Sequence, residues 1–224
     1  MKAMILAAGR GERMRPLTTN IPKPLLKVAG IPLIVHHLHA LHDAGIREVV
    51  VNVAYLGQKI ISALGDGSAF DLNIAYSHEG ETPLETAGGI IQALPQLGHE
   101  PFLVVNADIW TDFPFRSLPG QIDGLAHLVM VDNPAHHPRG DFRLADGLLH
   151  TEGESKLTYS GIGLYHPALF ADCEPGKRPL LPLLQKAMHD SLVSGQHFTG
   201  RWYDIGTPER LEALNSLLTT RSSA

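Results

Sequence analysis

The sequence contains one cysteine, Cys173, in 224 residues. That excludes a disulfide framework and a Cys-rich zinc module. No histidine or basic residue flanks Cys173 at motif spacing, so a thiolate nucleophile has no support either. Basic charge is also short. There are 18 Lys+Arg against 23 Asp+Glu, a net charge of −5. A nucleic-acid binder needs a basic face to neutralise phosphates, and this balance argues against one. No apolar run approaches the roughly 20 residues of a membrane helix. The apolar start ends at Gly9-Arg10-Gly11 before a signal peptide's core could form, so a cytoplasmic protein is expected.

What is present is a chain that can bury a core. It is 44% hydrophobic, and its 22 glycines and 16 prolines are scattered as turn markers. Short β-rich runs alternate with helical runs. Ala3 to Leu6 reads as a buried strand and Pro32 to Ala44 as a helix with Leu33, Ile34, Leu38 and Leu41 on one stripe. Strands are expected at Glu48 to Val53, Leu72 to Tyr76 and Phe102 to Val105, with helices at Gln58 to Leu64 and Thr86 to Leu94 between them. That spacing means βαβ units: an α/β fold with a mainly parallel, mixed sheet and helices on both faces. In the second half, strands are expected at Leu125 to Val131 and Ile162 to Tyr165, with a hairpin turning at Ala145-Asp146-Gly147. A helix over Leu180 to His189 and a strand over His197 to Tyr203 follow. Thr207-Pro208-Glu209 then opens a last helix. The reading is one domain over 1–224, with an N-terminal half to about residue 115 binding a nucleotide-like ligand and a second half from about 116 shaping a lid or acceptor pocket.

The run Leu6-Ala7-Ala8-Gly9-Arg10-Gly11-Glu12-Arg13, continuing to Pro22-Lys23-Pro24, places a glycine loop directly after a strand. Gly9 and Gly11 let backbone N–H groups approach phosphate oxygens. Met14 stands where a dinucleotide fingerprint needs glycine, and no Gly-Lys-Ser/Thr follows, so neither standard nucleotide loop is matched. Arg13 and Lys23 add positive charge for a polyphosphate. Asp108 and Asp204 each follow an apolar or aromatic strand and would sit at strand carboxyl ends. Two such carboxylates, with phosphate oxygens, form a hard oxygen site suited to Mg²⁺. His36, His37, His39 and His42 crowd one helix at spacings that drift around its axis. Solvated side chains beside an apolar stripe are expected there rather than zinc ligands.

These motifs together resemble the sugar-1-phosphate nucleotidyltransferases. The glycine loop with Pro-Lys-Pro matches their signature. So do Pro83-Leu84-Glu85-Thr86-Ala87-Gly88-Gly89, Asn106-Ala107-Asp108, Tyr159-Ser160-Gly161-Ile162 and Trp202-Tyr203-Asp204-Ile205-Gly206-Thr207-Pro208. Glu85 and Ala107 replace family glycines, and Tyr159 replaces asparagine. The resemblance implies a Rossmann-like, GT-A-like fold and an Mg²⁺-dependent nucleotidyl transfer between a nucleoside triphosphate and a sugar 1-phosphate. Within the family, the compact length, Pro-Leu-Glu-Thr-Ala-Gly-Gly and Asn-Ala-Asp point to the branch using UTP and N-acetylmuramic acid 1-phosphate in peptidoglycan recycling. Mannose-1-phosphate guanylyl transfer is the alternative.

The implied roles follow the matched motifs. Arg13 and Lys23 are catalytic, and the nucleotide is held by Ala8, Gly9, Gly11, Glu12, Arg13, Lys23, Glu81 and Gly88. The sugar lies near Asn106, Gly140, Glu154 and Ser160, and the metal on Asp108 and Asp204. His136, His137, Arg139 and Arg143 are candidate donors to an acidic sugar substituent. A non-catalytic nucleotide-sugar sensor would show a broken loop or a missing aspartate, and both are intact. A retaining glycosyltransferase would want Asp-x-Asp where Asn106-Ala107-Asp108 stands. No nucleic-acid or membrane partner is expected, and the chain is read as a monomer or dimer.

Overall fold

A computed structural model describes residues 1–80 and 84–221. The elements, in order, are β1 (Ala3–Leu6), β2 (Lys27–Val28), β3 (Ile31–Pro32), α1 (Leu33–Asp43), β4 (Glu48–Val53), α2 (Gly57–Leu64), β5 (Asn73–His78), α3 (Glu85–Leu97) and β6 (Phe102–Asn106). There follow β7 (Ile109–Thr111), β8 (Ala126–Val131), β9 (Arg143–Ala145), β10 (Leu148–His150), β11 (Thr158–Tyr165), α4 (Leu181–His189), β12 (Val193–Phe198), β13 (Trp202–Asp204) and α5 (Pro208–Arg221).

A nine-stranded sheet runs β5-β4-β1-β6-β11-β8-β12-β10-β9 and joins both halves of the chain. From β5 to β6 every pairing is parallel. Beyond β6 the sheet is mixed: β11 is antiparallel to β6 and β8, β12 is parallel to β8, and the β9–β10 hairpin closes the edge. Period-two alternation sets the two faces. Ala3 and Ile5 of β1 point into one core with Ile34, Leu38 and Leu41 of α1 and Ile60 and Leu64 of α2. Met4 points into the opposite core with Ile90 and Leu97 of α3 and Leu184 and Met188 of α4. Fully burying one such Leu or Ile stabilises by roughly 1.5–3 kcal/mol, so each layer is held by many comparable increments. A third core packs α5 (Leu211, Leu214) on Met14, Leu33 and Trp110.

Three sequence expectations change. The strand expected over His197 to Tyr203 is two strands in two sheets. β12 extends the main sheet, whereas β13 pairs antiparallel with β7 in a separate ribbon. The chain turns between them at 199–201, where Arg201 is pinned through its backbone N–H (2.8 Å) and Nε (2.6 Å) to the Asp112 carboxylate. α3 continues past Pro95 to Leu97, because Leu97 is buried in the core and only one helix N–H is lost. The α1 histidines are not all solvated. His37 is 2% exposed, and its Nε2 donates to the Ile109 carbonyl at 2.9 Å. Among the described residues no helix is long and apolar enough to cross a membrane.

Candidate active site

From β1 the chain crosses to β4 and β5 on one side, then returns past β1 to β6 on the other. The carboxyl ends of β1 and β6 therefore flank a topological switch point, where open α/β sheets bind ligands. A cleft of about 520 Å³ opens there. Ala8, Gly9, Arg10, Gly11, Glu12 and Arg13 line one wall, with Lys23 beside them. Gly11 adopts φ 63, and a Cβ on it would press on Thr18 Cγ2 at 3.1 Å and Lys23 Cβ at 3.2 Å. Glycine thus lets the loop settle onto Lys23. The Thr18 hydroxyl donates to the Gly11 carbonyl at 2.8 Å and fixes that turn. A Cβ at Gly9 would meet only open space.

Lys23 is 8% exposed, and its Nζ donates to Asp108 Oδ2 at 2.7 Å. A buried cation needs such a partner. Asn52, Glu79, Glu85 and Thr86 also line the cleft. The cations Arg10, Arg13 and Lys23 and the carboxylates of Glu12, Glu79, Glu85 and Asp108 all line this cleft. Glu85, in place of the family glycine, takes φ 60 and pairs with Lys177 Nζ at 3.3 Å. Its positive φ explains why glycine suits this position.

A second cleft of about 300 Å³ adjoins the first and shares Asn106 and Asp108 with it. Ser160, Asp204, His136, His137, Tyr159 and Trp202 complete most of its wall. β13 brings Asp204 here: it pairs with Ile109 across the ribbon, and Ile205 N–H donates to the Asp108 carbonyl at 2.8 Å. Asp204 is held by Arg210 Nη1 and by His136 Nε2, the latter at 3.1 Å. A register shift in β11 between Tyr159 and Gly163 turns Ser160 and Gly161 toward the cleft. Gly161, at φ 83, leaves room for Asn106, whose Nδ2 would lie 2.7 Å from a Cβ there. Trp202 Nε1 donates to the Ser160 carbonyl at 2.8 Å, and Trp202 also lines the second cleft.

Among the described residues no group of three or more His, Cys, Asp and Glu could hold a metal ion. Asp108 and Asp204 nevertheless line one cleft, with 45% and 30% of their side-chain surfaces exposed. Two hard carboxylates beside open space fit a cation that keeps water and phosphate oxygens as its other ligands, as Mg²⁺ does.

Several expected site residues stand elsewhere. Gly88 does not line the larger cleft: its N–H donates to the Arg178 carbonyl at 3.1 Å, and its Cα lies against the Gly176 carbonyl. It is a close-packing glycine. Gly140 lines neither cleft. It makes a φ 63 turn against Asn133 and Lys156, behind the second cleft. Glu154 stands on an exposed turn outside both linings, because the hairpin edge carries it outward. Arg139 and Arg143 are exposed and also outside, whereas His136 and His137 line the second cleft. Glu81 lies outside the described residues. Sequence reasoning missed Asn52, Glu79 and Thr86. The first two had a signal, since each is polar at or just past the end of an apolar strand.

A family model described as Nucleotidyl transferase matches residues 2–139. The chain is also 54% identical to the N-acetylmuramate alpha-1-phosphate uridylyltransferase of Neisseria meningitidis serogroup B, over 97% of this chain and 98% of that one. This chain belongs to the nucleotidyl transferase family. A Caulobacter vibrioides family member bearing the same uridylyltransferase name is 37% identical over 92% of each chain. The mannose-1-phosphate guanyltransferase of Schizosaccharomyces pombe is 31% identical over 93% of this chain but 62% of its own length. The nucleotidyl transferase fold is also seen in a putative glucose-1-phosphate thymidylyltransferase from Bacillus anthracis. It has a TM-score of 0.86 at 21% identity, covering 97% of this chain and 94% of that one.

Proposed function

We propose that this nucleotidyl transferase joins UTP to N-acetylmuramic acid 1-phosphate, giving UDP-N-acetylmuramic acid and pyrophosphate, in the cytoplasm during peptidoglycan recycling. The meeting of two clefts at Asn106 and Asp108 carries the reaction class, because it sets a triphosphate cleft against a second substrate's cleft. The 54% identical relative supports the choice of base and sugar. The N-terminal half holds the nucleotide and the second half the sugar.

An oxygen of the sugar phosphate attacks the α-phosphorus in line, and the bond to pyrophosphate breaks. The nucleophile is already an anion, so no general base is needed. Alignment and charge neutralisation are the whole task. Arg13 and Lys23 stabilise charge at the α-phosphate and on the leaving pyrophosphate. Ala8, Gly9, Gly11 and Glu12 shape the phosphate wall. Mg²⁺ when bound supplies further neutralisation between the two phosphates, and Asp108 and Asp204 would hold it. Lys23, which pairs with Asp108, is then free to turn to phosphate oxygens. Asn106 and Ser160 face the sugar. His136 and His137, which line the second cleft, replace Arg139 and Arg143 as donors to the sugar's acidic substituent, each through the ring nitrogen not paired with Asp204 or Asp141.

The test is four nucleoside triphosphates against several sugar 1-phosphates, with pyrophosphate release as readout. UTP with N-acetylmuramic acid 1-phosphate should give the highest kcat/KM. A better GTP and mannose 1-phosphate pair would overturn the substrates while keeping the reaction class. Nucleotide binding with no turnover for any pair would favour a sensor.

A further inference from the structure

A buried polar bridge lies in the lining of the larger cleft. Asn52, in β4, is 3% exposed, and Glu79, one residue past β5, is 9% exposed. Asn52 Oδ1 accepts the Ala7 N–H at 2.7 Å. Asn52 Nδ2 donates to Glu79 Oε1 at 2.5 Å. Glu79 Oε2 accepts the Leu84 N–H at 3.1 Å. Three bonds therefore link the residue after β1 to the residue before α3, through the ends of β4 and β5. Ala8 and Gly9 follow Ala7 directly, Glu85 and Thr86 follow Leu84, and all four line the cleft.

The bridge is directional. Asn52 must turn its carbonyl to Ala7 and its amide to Glu79, and an acceptor-only carboxylate takes both remaining N–H donors. Gly89 makes the space: a Cβ there would lie 2.9 Å from Asn52 Nδ2 and collide with Glu79 Oε1. Burying a carboxylate is costly unless its oxygens are bonded, and an apolar pair would fill the same volume without that cost. Nothing in the transfer chemistry uses either side chain. We infer that Asn52 and Glu79 are positioning residues that fix the distance between the glycine loop and the 84–86 segment, and so set the width of the nucleotide cleft. A nucleoside gripped between two walls loses contacts on one side when the walls part. This inference rests on the nucleotide reading of the cleft.

Complementary substitutions test it. In Glu79→Gln, an amide NH₂ faces one of two N–H donors. In Asn52→Asp, two carboxylates meet. Combining the two restores the pattern in reverse. The new carboxylate at 52 accepts from Ala7 and from the new amide at 79, whose oxygen accepts from Leu84. UTP binding is measured by calorimetry, and KM for each substrate by pyrophosphate release. Each single variant should weaken UTP binding by about 10-fold or more, the scale of one unsatisfied buried group. KM for the sugar phosphate should stay within about twofold, and the double variant should recover UTP affinity to within about threefold. Single variants that bind UTP normally would overturn the inference. So would a folded double variant no better than the singles, or a parallel rise in both KM values. If a single variant does not fold, the double variant decides alone by the same threefold criterion. Wild-type protein that binds no nucleoside triphosphate would instead overturn the functional reading.

Discussion

Replacing His37 with glutamine should flatten the acid limb of this protein's stability curve. His37 lies between α1 and the β7 ribbon, and burial pushes it from 6.5 down to about 4 against the upward pull of the Ile109 carbonyl. The unfolded chain therefore takes up a proton first as pH falls. The stability that the neutral ring contributes is complete above about pH 6.5 and is lost progressively down to about pH 4. Linkage between those two values gives a loss of about 2 kcal/mol at pH 5 relative to pH 7.5. For a chain of this size that is roughly 4–8 °C in Tm. Glutamine keeps an N–H for the Ile109 carbonyl but does not titrate. His37→Gln should cost about 1 kcal/mol at pH 7.5, through altered packing. It should then lose about 2 kcal/mol less than wild type on going to pH 5. Urea unfolding at pH 7.5, 6 and 5 measures both slopes. His127, which burial also pushes down, contributes equally to both proteins and cancels in the difference. Parallel curves for the two proteins would refute a buried neutral His37.

Three further outcomes are expected. Lys23→Ala and Arg13→Ala should each lower kcat/KM by about 10²-fold, measured by pyrophosphate release, because each removes a cation from the phosphate wall. Asp108→Asn and Asp204→Asn should each nearly abolish turnover, and the double change should add little; full activity after exhaustive chelation would contradict a metal role for the pair. Glu85→Gly should raise stability by about 0.5–1 kcal/mol in urea unfolding, since glycine adopts φ 60 without the steric penalty of a side chain and the exposed Lys177 pair contributes little.

The sequence by itself determined the first half closely. Period-two and period-3.6 patterns are local properties, so β1, α1 and β4 fall where the apolar residues place them. That the glycine loop and the two aspartates would stand at a cleft was legible because it depends on residue type and on a strand end, both readable in one dimension. Tertiary structure decided which residues share a cleft. Asp204 reaches Asp108 only because β13 leaves the main sheet to pair with β7, a long-range choice that no window around residue 204 contains. Gly88 was a motif glycine and Gly140 was assigned by the family resemblance, yet what makes each necessary is a backbone carbonyl or side chain brought against it from another segment. His37 looked like its helical neighbours until β7 packed on it and supplied a carbonyl acceptor. Glu154 and the arginines at 139 and 143 were carried outward by hairpin and loop geometry, while His136 and His137 turned in. Periodicity and motif spacing fix what a segment is. Which segments meet depends on the order of strands in the sheet, set by packing across the whole chain.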